Sequence, residues 1–278
     1  MTLATLDEVL HAAVAQGRGV GAFNVIQIEH AEAYVAAAER TGLPVVLQIS
    51  QNTVAYHGAL APIALATKQL AASAVVHCVL QLDHAQSESL ITEAVRLGFT
   101  SVMFDGSTLD DSVNRDRTRA VVQHCHAAGI SVEAELGEIG GKEGAHAAGA
   151  RTDPHEAARF VEETGVDALA VAVGSSHAMT TRTAKLDLEL VSRIQEAVSV
   201  PLVLHGSSGV PDSTLTEAVR AGMVKINIAT HLNHVFTAAV SDFLAANVGV
   251  VDTRKYLGAA REAVEAEAVR LLELLALR

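Results

Sequence analysis

Three apolar runs of the chain each end on a histidine: Leu80-Gln81-Leu82-Asp83-His84, Val171-Ala172-Val173-Gly174-Ser175-Ser176-His177 and Val203-Leu204-His205. Three imidazoles delivered from separate strands to one point make a zinc site with an open fourth position. A zinc ion held that way polarises a carbonyl oxygen, which is chemistry rather than scaffolding. Any one of these histidines reads equally well as a helix cap or a satisfied core residue, whereas three at equivalent positions favour a ligand set. Asp83, immediately before His84, holds a carboxylate beside the metal. Such a group suits proton transfer to an oxygen that the metal also polarises. The alternative is that it orients a zinc histidine from behind.

Further groups cluster at the ends of other runs. Glu133-Ala134-Glu135-Leu136-Gly137 ends on two carboxylates spaced to face one side, and Gly140-Gly141-Lys142-Glu143 follows in a polar, Gly-rich stretch from 138 to 152. A loop carboxylate such as Glu143 can close over a substrate and act as base; its bland alternative is a solvated charge. Gly174-Ser175-Ser176 and Gly206-Ser207-Ser208-Gly209 are turns whose backbone N–H groups and small hydroxyls suit a phosphate, or are plain turns. Asn227, in Lys225-Ile226-Asn227-Ile228-Ala229-Thr230, puts an amide beside that pocket. His124 and His126 lie two apart, so on a helix they share no face, and they are read as structural, as are His231 and His234.

These residues need strands to end where they stand. Eight short Val- and Ile-rich runs can be counted: 20–25, 44–50, 78–84, 101–105, 131–136, 168–174, 201–204 and 224–229. Stretches of helical periodicity intervene, among them 29–41, 87–97, 153–164 and 186–197. Strands that are apolar on both faces and alternate with helices predict a closed (β/α)8 TIM barrel. Functional residues then belong at the carboxyl ends of the strands, where His84, His177 and His205 fall. Several helical stretches end on Gly, as at Gly42, Gly98 and Gly165, where a left-handed residue is needed. No linker or low-complexity tract marks a second domain, so residues 1–278 are expected to form one barrel domain with a helical extension over about 252–278.

Composition agrees with that architecture. Half of the 278 residues are hydrophobic while aromatics make up 3%, which suits Ala, Val, Leu and Ile packed between helices and strands. The 20 Lys and Arg against 32 Asp and Glu leave a net charge of −12, the wrong sign for a nucleic-acid footprint. Two cysteines, Cys78 and Cys125, build no disulfide framework and point to a reducing compartment. The first residues lack a basic segment followed by an apolar stretch, and no apolar run reaches about 18 residues. The expectation is a soluble, cytoplasmic protein with no membrane or nucleic-acid partner.

With these residues assembled, the chain resembles the class II, zinc-dependent fructose- and tagatose-bisphosphate aldolases over nearly its whole length. The matching segments are Gly21-Ala22-Phe23-Asn24, Leu82-Asp83-His84, Val132 to Gly137 with Gly140-Gly141, Leu204-His205-Gly206 with Ser208 to Pro211, Lys225 to Thr230, and Asp252-Thr253-Arg254-Lys255-Tyr256. The resemblance implies a zinc ion on His84, His177 and His205, with Glu135 holding it in an alternative position. It implies that Asp83 takes the C4 hydroxyl proton, that Glu143 moves the proton on the dihydroxyacetone phosphate carbon, and that Asn227 holds the enediolate. Asn24, Ser50, Gly174, Ala178, Gly206, Ser207, Ser208, Ala229 and Thr230 would contact the substrate or its first phosphate, and Arg254 the phosphate at the far end. A monovalent cation, Na+ or K+, in the same loops is implied too, and so is a homodimer or homotetramer.

This chain has His177-Ala178, Gly206-Ser207 and Asn227-Ile228-Ala229-Thr230 where relatives commonly carry His-Gly, Gly-Gly or Gly-Ala, and Asn-x-Asp-Thr; tagatose-type relatives share the Ala. The expected reaction is cleavage of a ketose 1,6-bisphosphate into dihydroxyacetone phosphate and glyceraldehyde 3-phosphate. A variant keeps dihydroxyacetone phosphate with another aldehyde, such as sulfolactaldehyde or a deoxy sugar acid. A zinc hydrolase and a non-catalytic barrel are the readings from other classes.

Overall fold

Runs of Val, Leu and Ile that are apolar on both faces need cover on both faces, and here they obtain it by closing on themselves. In the computed structural model, which describes residues 3–136, 151–176 and 179–278, eight parallel strands pair in sequence order and the eighth returns to the first. The chain runs α1 (Leu6–Ala15), β1 (Val20–Asn24), α2 (Ile28–Thr41), β2 (Val45–Ser50), α3 (Gln51–His57) and α4 (Ala61–Ser73). It continues through β3 (Cys78–Ala85), α5 (Glu88–Leu97), β4 (Ser101–Phe104), α6 (Asp111–His126) and β5 (Ser131–Leu136). Then come α7 (Pro154–Thr164), β6 (Ala168–Val171), α8 (Leu188–Ala197), β7 (Leu202–Leu204), α9 (Asp212–Ala221), β8 (Met223–Ile228), α10 (Thr230–Ala246) and α11 (Thr253–Leu275). The expected (β/α)8 barrel is therefore present.

Local chemistry sets the element ends. Ser87 caps α5 by accepting from Leu90 N–H, and Asp153 caps α7 by accepting from His155 and Glu156 N–H. Gly42 closes α2 at φ 67°, a conformation that penalises any residue with a Cβ. The sixth strand is shorter than expected from 168–174. Beyond Val171 the backbone of Ala172 turns to Thr152, accepting from its N–H (2.9 Å) and donating to its hydroxyl (2.8 Å), so it leaves the ladder.

Two cores result. The larger lies between the strands and their surrounding helices, with Phe23, Tyr34, Leu47, Leu80, Phe104, Phe160 and Ile226 fully buried. The smaller fills the amino-terminal end of the barrel bore with Val20, Ala22, Val46, Val79, Ala168, Ala170 and Val203, closed from below by Leu6, Val9 and Leu10 of α1. Helix α11 follows the Asp252 cap and packs on α2 and α10. Among the described residues no helix is long and apolar enough to cross a membrane.

Candidate active site

Successive residues of a strand point to opposite faces, so Asp83 and His84 should not both reach one cavity. Both do, because the pairing of β3 with β4 slips between Leu82 and Ala85 and His84 takes φ 49°. A bulge of this kind re-aims a side chain, and a non-glycine residue held in the left-handed region carries strain of about 1–3 kcal/mol. Asp83 is buried; its Oδ2 accepts from Asn24 Nδ2 and its Oδ1 from Gln48 Nε2, each at 3.1 Å. The carboxylate is thereby aimed by two strands at once.

The rings of His84 and His205 meet edge to face, with His205 Nδ1 3.1 Å from His84 Nε2. Each ring's other nitrogen already has a carboxylate: His84 Nδ1 donates to Asp105 Oδ2 (2.8 Å) and His205 Nε2 to Glu133 Oε1 (3.0 Å). Those bonds select tautomers in which the two facing nitrogens both carry lone pairs. Two lone pairs that close repel one another, and a cation between them removes that repulsion. Two nitrogens bound to one zinc at 2.0–2.1 Å stand about 3.4 Å apart, which fits this pair. Glu135 Oε2 approaches to 3.8 Å of His205 Nδ1, and among the described residues His84, Glu135 and His205 offer ligand atoms all within 4.8 Å of one another. The carboxylates behind the histidines are the usual outer partners of a metal-binding imidazole.

Below this cluster the bore of the barrel is polar. Gln48 Nε2 donates to Gln81 Oε1 (3.0 Å), Gln81 Nε2 to Glu133 Oε2 (3.0 Å), and Lys225 Nζ lies 2.8 Å from both Glu133 Oε2 and Asn227 Oδ1. Burial alone would raise the Glu133 carboxyl, but the Lys225 ammonium and the His205 hydrogen bond outweigh it and hold it down to about 2. Lys225 also fixes the Asn227 amide, whose Nδ2 then lies 3.1 Å from His205 Nε2.

The other side of the cavity is made of turn backbone and small side chains. Gly206 sits at φ 67° with room for no side chain, since a Cβ there would meet the Ser176 backbone at 2.6 Å. That contact lets the loops after β6 and β7 touch. A single 3₁₀ turn over Ser207–Gly209 follows, and Ser207 Oγ donates to the Leu204 carbonyl. Helix α10 begins at Thr230 behind Ala229, which supplies no side-chain cap, and of its first-turn N–H groups that of His231 donates to Ser208 Oγ. Asn24, Ser50, Asn52, Asp83, His84, Gly206, Ser207, Ser208, Asn227, Ala229 and Thr230 line one cavity of about 180 Å³.

Not every expected residue joins this cluster. Ser50 lines the cavity while its Oγ accepts from Thr53 N–H (3.1 Å) and so caps α3. Gly174, at φ 117°, packs against the Lys185 carbonyl and is not among the lining residues. Arg254 is apart from the cavity, exposed and paired with Asp252 at 2.9 Å. His177, Ala178 and Glu143 lie outside the described residues. His126 pairs with Asp167 at 2.8 Å, away from the cavity, while His231 abuts Ser208.

Asn52, Gln48, Gln81, Asp105 and Lys225 are additions that sequence reasoning missed. A signal for three of them was present: Gln48, Gln81 and Lys225 each stand two residues before a site residue, hence on the same strand face.

Comparison with known proteins agrees with this geometry. The profile of the fructose-bisphosphate aldolase class-II family matches residues 4–277. A fructose-bisphosphate aldolase of Thermus caldophilus is 40% identical over 291 aligned positions, covering 95% of this chain and 94% of its own. One from Geobacillus stearothermophilus is 36% identical, covering 97% and 95%. A crystal structure of the YdjI aldolase of Escherichia coli superposes with a TM-score of 0.88 at 32% identity, over 98% of this chain and 97% of that one. A buried carboxylate beside two facing imidazoles, a turn of small residues across the cavity and a family match along the whole barrel converge on one assignment: the chain belongs to the class-II fructose-bisphosphate aldolases, lyases that act on a carbon–carbon bond.

Proposed function

We propose that the protein reversibly cleaves a ketose 1,6-bisphosphate, of the fructose or tagatose type, into dihydroxyacetone phosphate and glyceraldehyde 3-phosphate. The observation that carries this reading is that Asp83, the His84–His205 pair and the Gly206–Ser208 cradle border one cavity. Zinc would be held by His84, His205 and His177, with Glu135 as an alternative ligand, and when bound it supplies a Lewis acid for the substrate carbonyl and hydroxyl oxygens. Asp83 accepts the C4 hydroxyl proton in cleavage and returns it to the aldehyde oxygen in condensation; Asn24 and Gln48 keep its two oxygens aimed. Asn227 donates its amide to the three-carbon half, where negative charge develops. Glu143 moves the proton on that half. Ser208, Thr230 and the backbone after Gly206 take the first phosphate.

The far end of the sugar is assigned to Ser50 and, although it stands outside the cavity lining, to Arg254. A second reading, in which the aldehyde carries a group other than phosphate, is favoured by the lining itself: among the described residues it contains no Lys or Arg, and Ser50 and Asn52 are neutral. Loss of a preference for the C6 phosphate in Arg254→Ala supports the first reading, and no preference in the wild type supports the second. Self-association as a dimer or tetramer is supported by α10, of whose 17 residues only Leu232 is buried, and by Val248 and Val251 beyond it, which are more than 90% exposed. A monovalent cation in the phosphate loops belongs to the same reading and is checked by exchanging Na+ for K+. The cytoplasm is kept as its location because Cys78 and Cys125 are both buried free thiols.

The decisive assay incubates the zinc-loaded protein with fructose 1,6-bisphosphate or tagatose 1,6-bisphosphate and couples dihydroxyacetone phosphate release to a dehydrogenase. Cleavage of one sugar, lost with chelator and recovered with zinc, is expected. Silence on both sugars with zinc bound, or release of inorganic phosphate instead of a triose phosphate, would sink the reading.

A further inference from the structure

The anion cradle is braced from behind by a chain of polar contacts that the proposed reaction does not use. His231, the second residue of α10, donates its backbone N–H to Ser208 Oγ (3.1 Å). Its imidazole Nε2 meets Glu267 Oε1 of α11 at 2.6 Å. Glu267 also takes Nε and Nη2 of Arg270 (2.9 and 2.7 Å), and Arg270 Nη1 reaches Asp212 Oδ2 at the start of α9 (2.7 Å). Arg182, in the loop after β6, joins Asp212 to the Val210 carbonyl. Four segments are tied together: the loop after β6, the turn after β7 with the start of α9, the start of α10, and the terminal helix α11.

An isolated surface pair would add little. Here the His231 and Glu267 side chains are only 25% and 18% exposed, and Glu267 serves two donors at once, so its position is over-determined. The consequence reaches the cavity through Ser208. With its oxygen accepting from His231 N–H, Ser208 keeps its own O–H to donate at the cavity it lines. A shift of the first turn of α10 would break that contact and re-aim the N–H groups of the turn together.

We propose that His231 is a positioning residue for the phosphate end of the substrate, and that Glu267 of α11 fixes it there. The inference rests on the aldolase reading for the identity of the substrate but not for its phosphate. Inorganic phosphate is therefore the first probe, titrated calorimetrically onto the zinc-loaded wild type, His231→Ala, His231→Gln and Glu267→Ala, with kcat and KM for the two bisphosphates measured alongside. In His231→Ala, phosphate affinity should fall and KM rise about tenfold, with kcat within about threefold and zinc content intact. Glu267→Ala should follow in the same direction with a smaller change. His231→Gln, whose amide N–H can still reach Glu267, should restore most of the loss.

Phosphate affinity and KM within about twofold of wild type in His231→Ala would overturn the proposal. So would a wild type that binds no phosphate, or a loss that His231→Gln does not rescue and that accompanies an equal fall in melting temperature and kcat. If neither bisphosphate is cleaved while phosphate affinity still drops in His231→Ala, the positioning role stands and the substrate assignment fails.

Discussion

The two ends of the barrel bore are made of opposite materials. Toward the amino-terminal end, Val20, Ala22, Val46, Val79, Ala168, Ala170 and Val203 pack against one another and against α1, with no polar atom to satisfy. Two residues further along the same strands the bore is lined by Asn24, Gln48, Gln81 and His205, with Glu133, Glu135, Lys225 and Asn227 from β5 and β8. The lower half stabilises by burying apolar surface, which requires only size and shape. The upper half holds buried polar groups, and each hydrogen bond there chiefly avoids the penalty of an unsatisfied group. The lower end thus supplies close packing, and the upper end holds its charged and polar groups at separations fixed by their hydrogen bonds to one another.

The largest test of the contrast removes compensation in the upper half. Lys225→Met leaves Glu133 buried with one partner fewer and should lower stability by about 3–5 kcal/mol, read as a fall in the denaturation midpoint. Adding Glu133→Leu should recover most of that loss while leaving zinc affinity about 10–100-fold weaker, because His205 Nε2 no longer has its acceptor. Wild-type zinc affinity in the double variant would show that Glu133 does not orient His205.

A cut in the lower half should behave otherwise. Val79→Ala opens a cavity at a fully buried site and should cost about 2–3 kcal/mol. Its zinc affinity and KM should match the wild type; a change in either would mean that the two ends are not mechanically separate.

A polar residue outside the bore sharpens the comparison, because it is buried without the partners the upper layer has. His30 stacks on Phe236 at 4.8 Å, neither ring nitrogen has a hydrogen-bond partner among the described residues, and burial pulls it down to about 4. In the unfolded chain this imidazole takes up a proton near pH 6.5, so stability should fall as pH drops from about 6.5 toward 4 and change little more from this group below that. At pH 5 the penalty amounts to about 2 kcal/mol, and His30→Phe should remove it. An unchanged acid sensitivity in His30→Phe would exclude His30 as its source.

The smallest effect is expected at the brace behind the cradle. Burial would raise the Glu267 carboxyl, but hydrogen bonds from Arg270 and His231 hold it at about 2. Its contribution is present above about pH 4.5 and is lost as pH falls toward 2. Glu267→Gln should therefore flatten that part of the stability profile by about 1 kcal/mol, measured by denaturant titration at pH 3 and pH 7. An identical difference between wild type and Glu267→Gln at both pH values would remove Glu267 from the acid response.

Much of the scaffold was legible because its signals are local. Runs such as Ser131–Leu136 coincide with a strand, and the Gly after Thr41 closes the preceding helix, since strand period and left-handed caps depend on a few neighbouring residues. The strand-end residues Asp83, His84, His205 and Asn227 were legible too, once a barrel was inferred, because its chemistry gathers at one rim. The slip that brings Asp83 and His84 to one cavity was not, because it depends on how β3 pairs with β4. Arg254 carried a family motif, yet in this chain it lies at the surface on Asp252. His231 read as structural from sequence because it lies on the helix after the last strand, and its contact with Glu267 spans 36 residues.

By itself the sequence determined the alternation of strand and helix, the rim on which chemistry sits and the residue types that could perform it, because periodicity and capping act within a few residues. Only the tertiary structure decided which nitrogen of each histidine faces the other, that Lys225 balances Glu133 and that Glu267 of α11 meets His231 of α10. His84 and His205 are 121 residues apart and His205 and Glu133 are 72 apart, and separations of that size are closed by barrel register and side-chain packing, which no local pattern encodes.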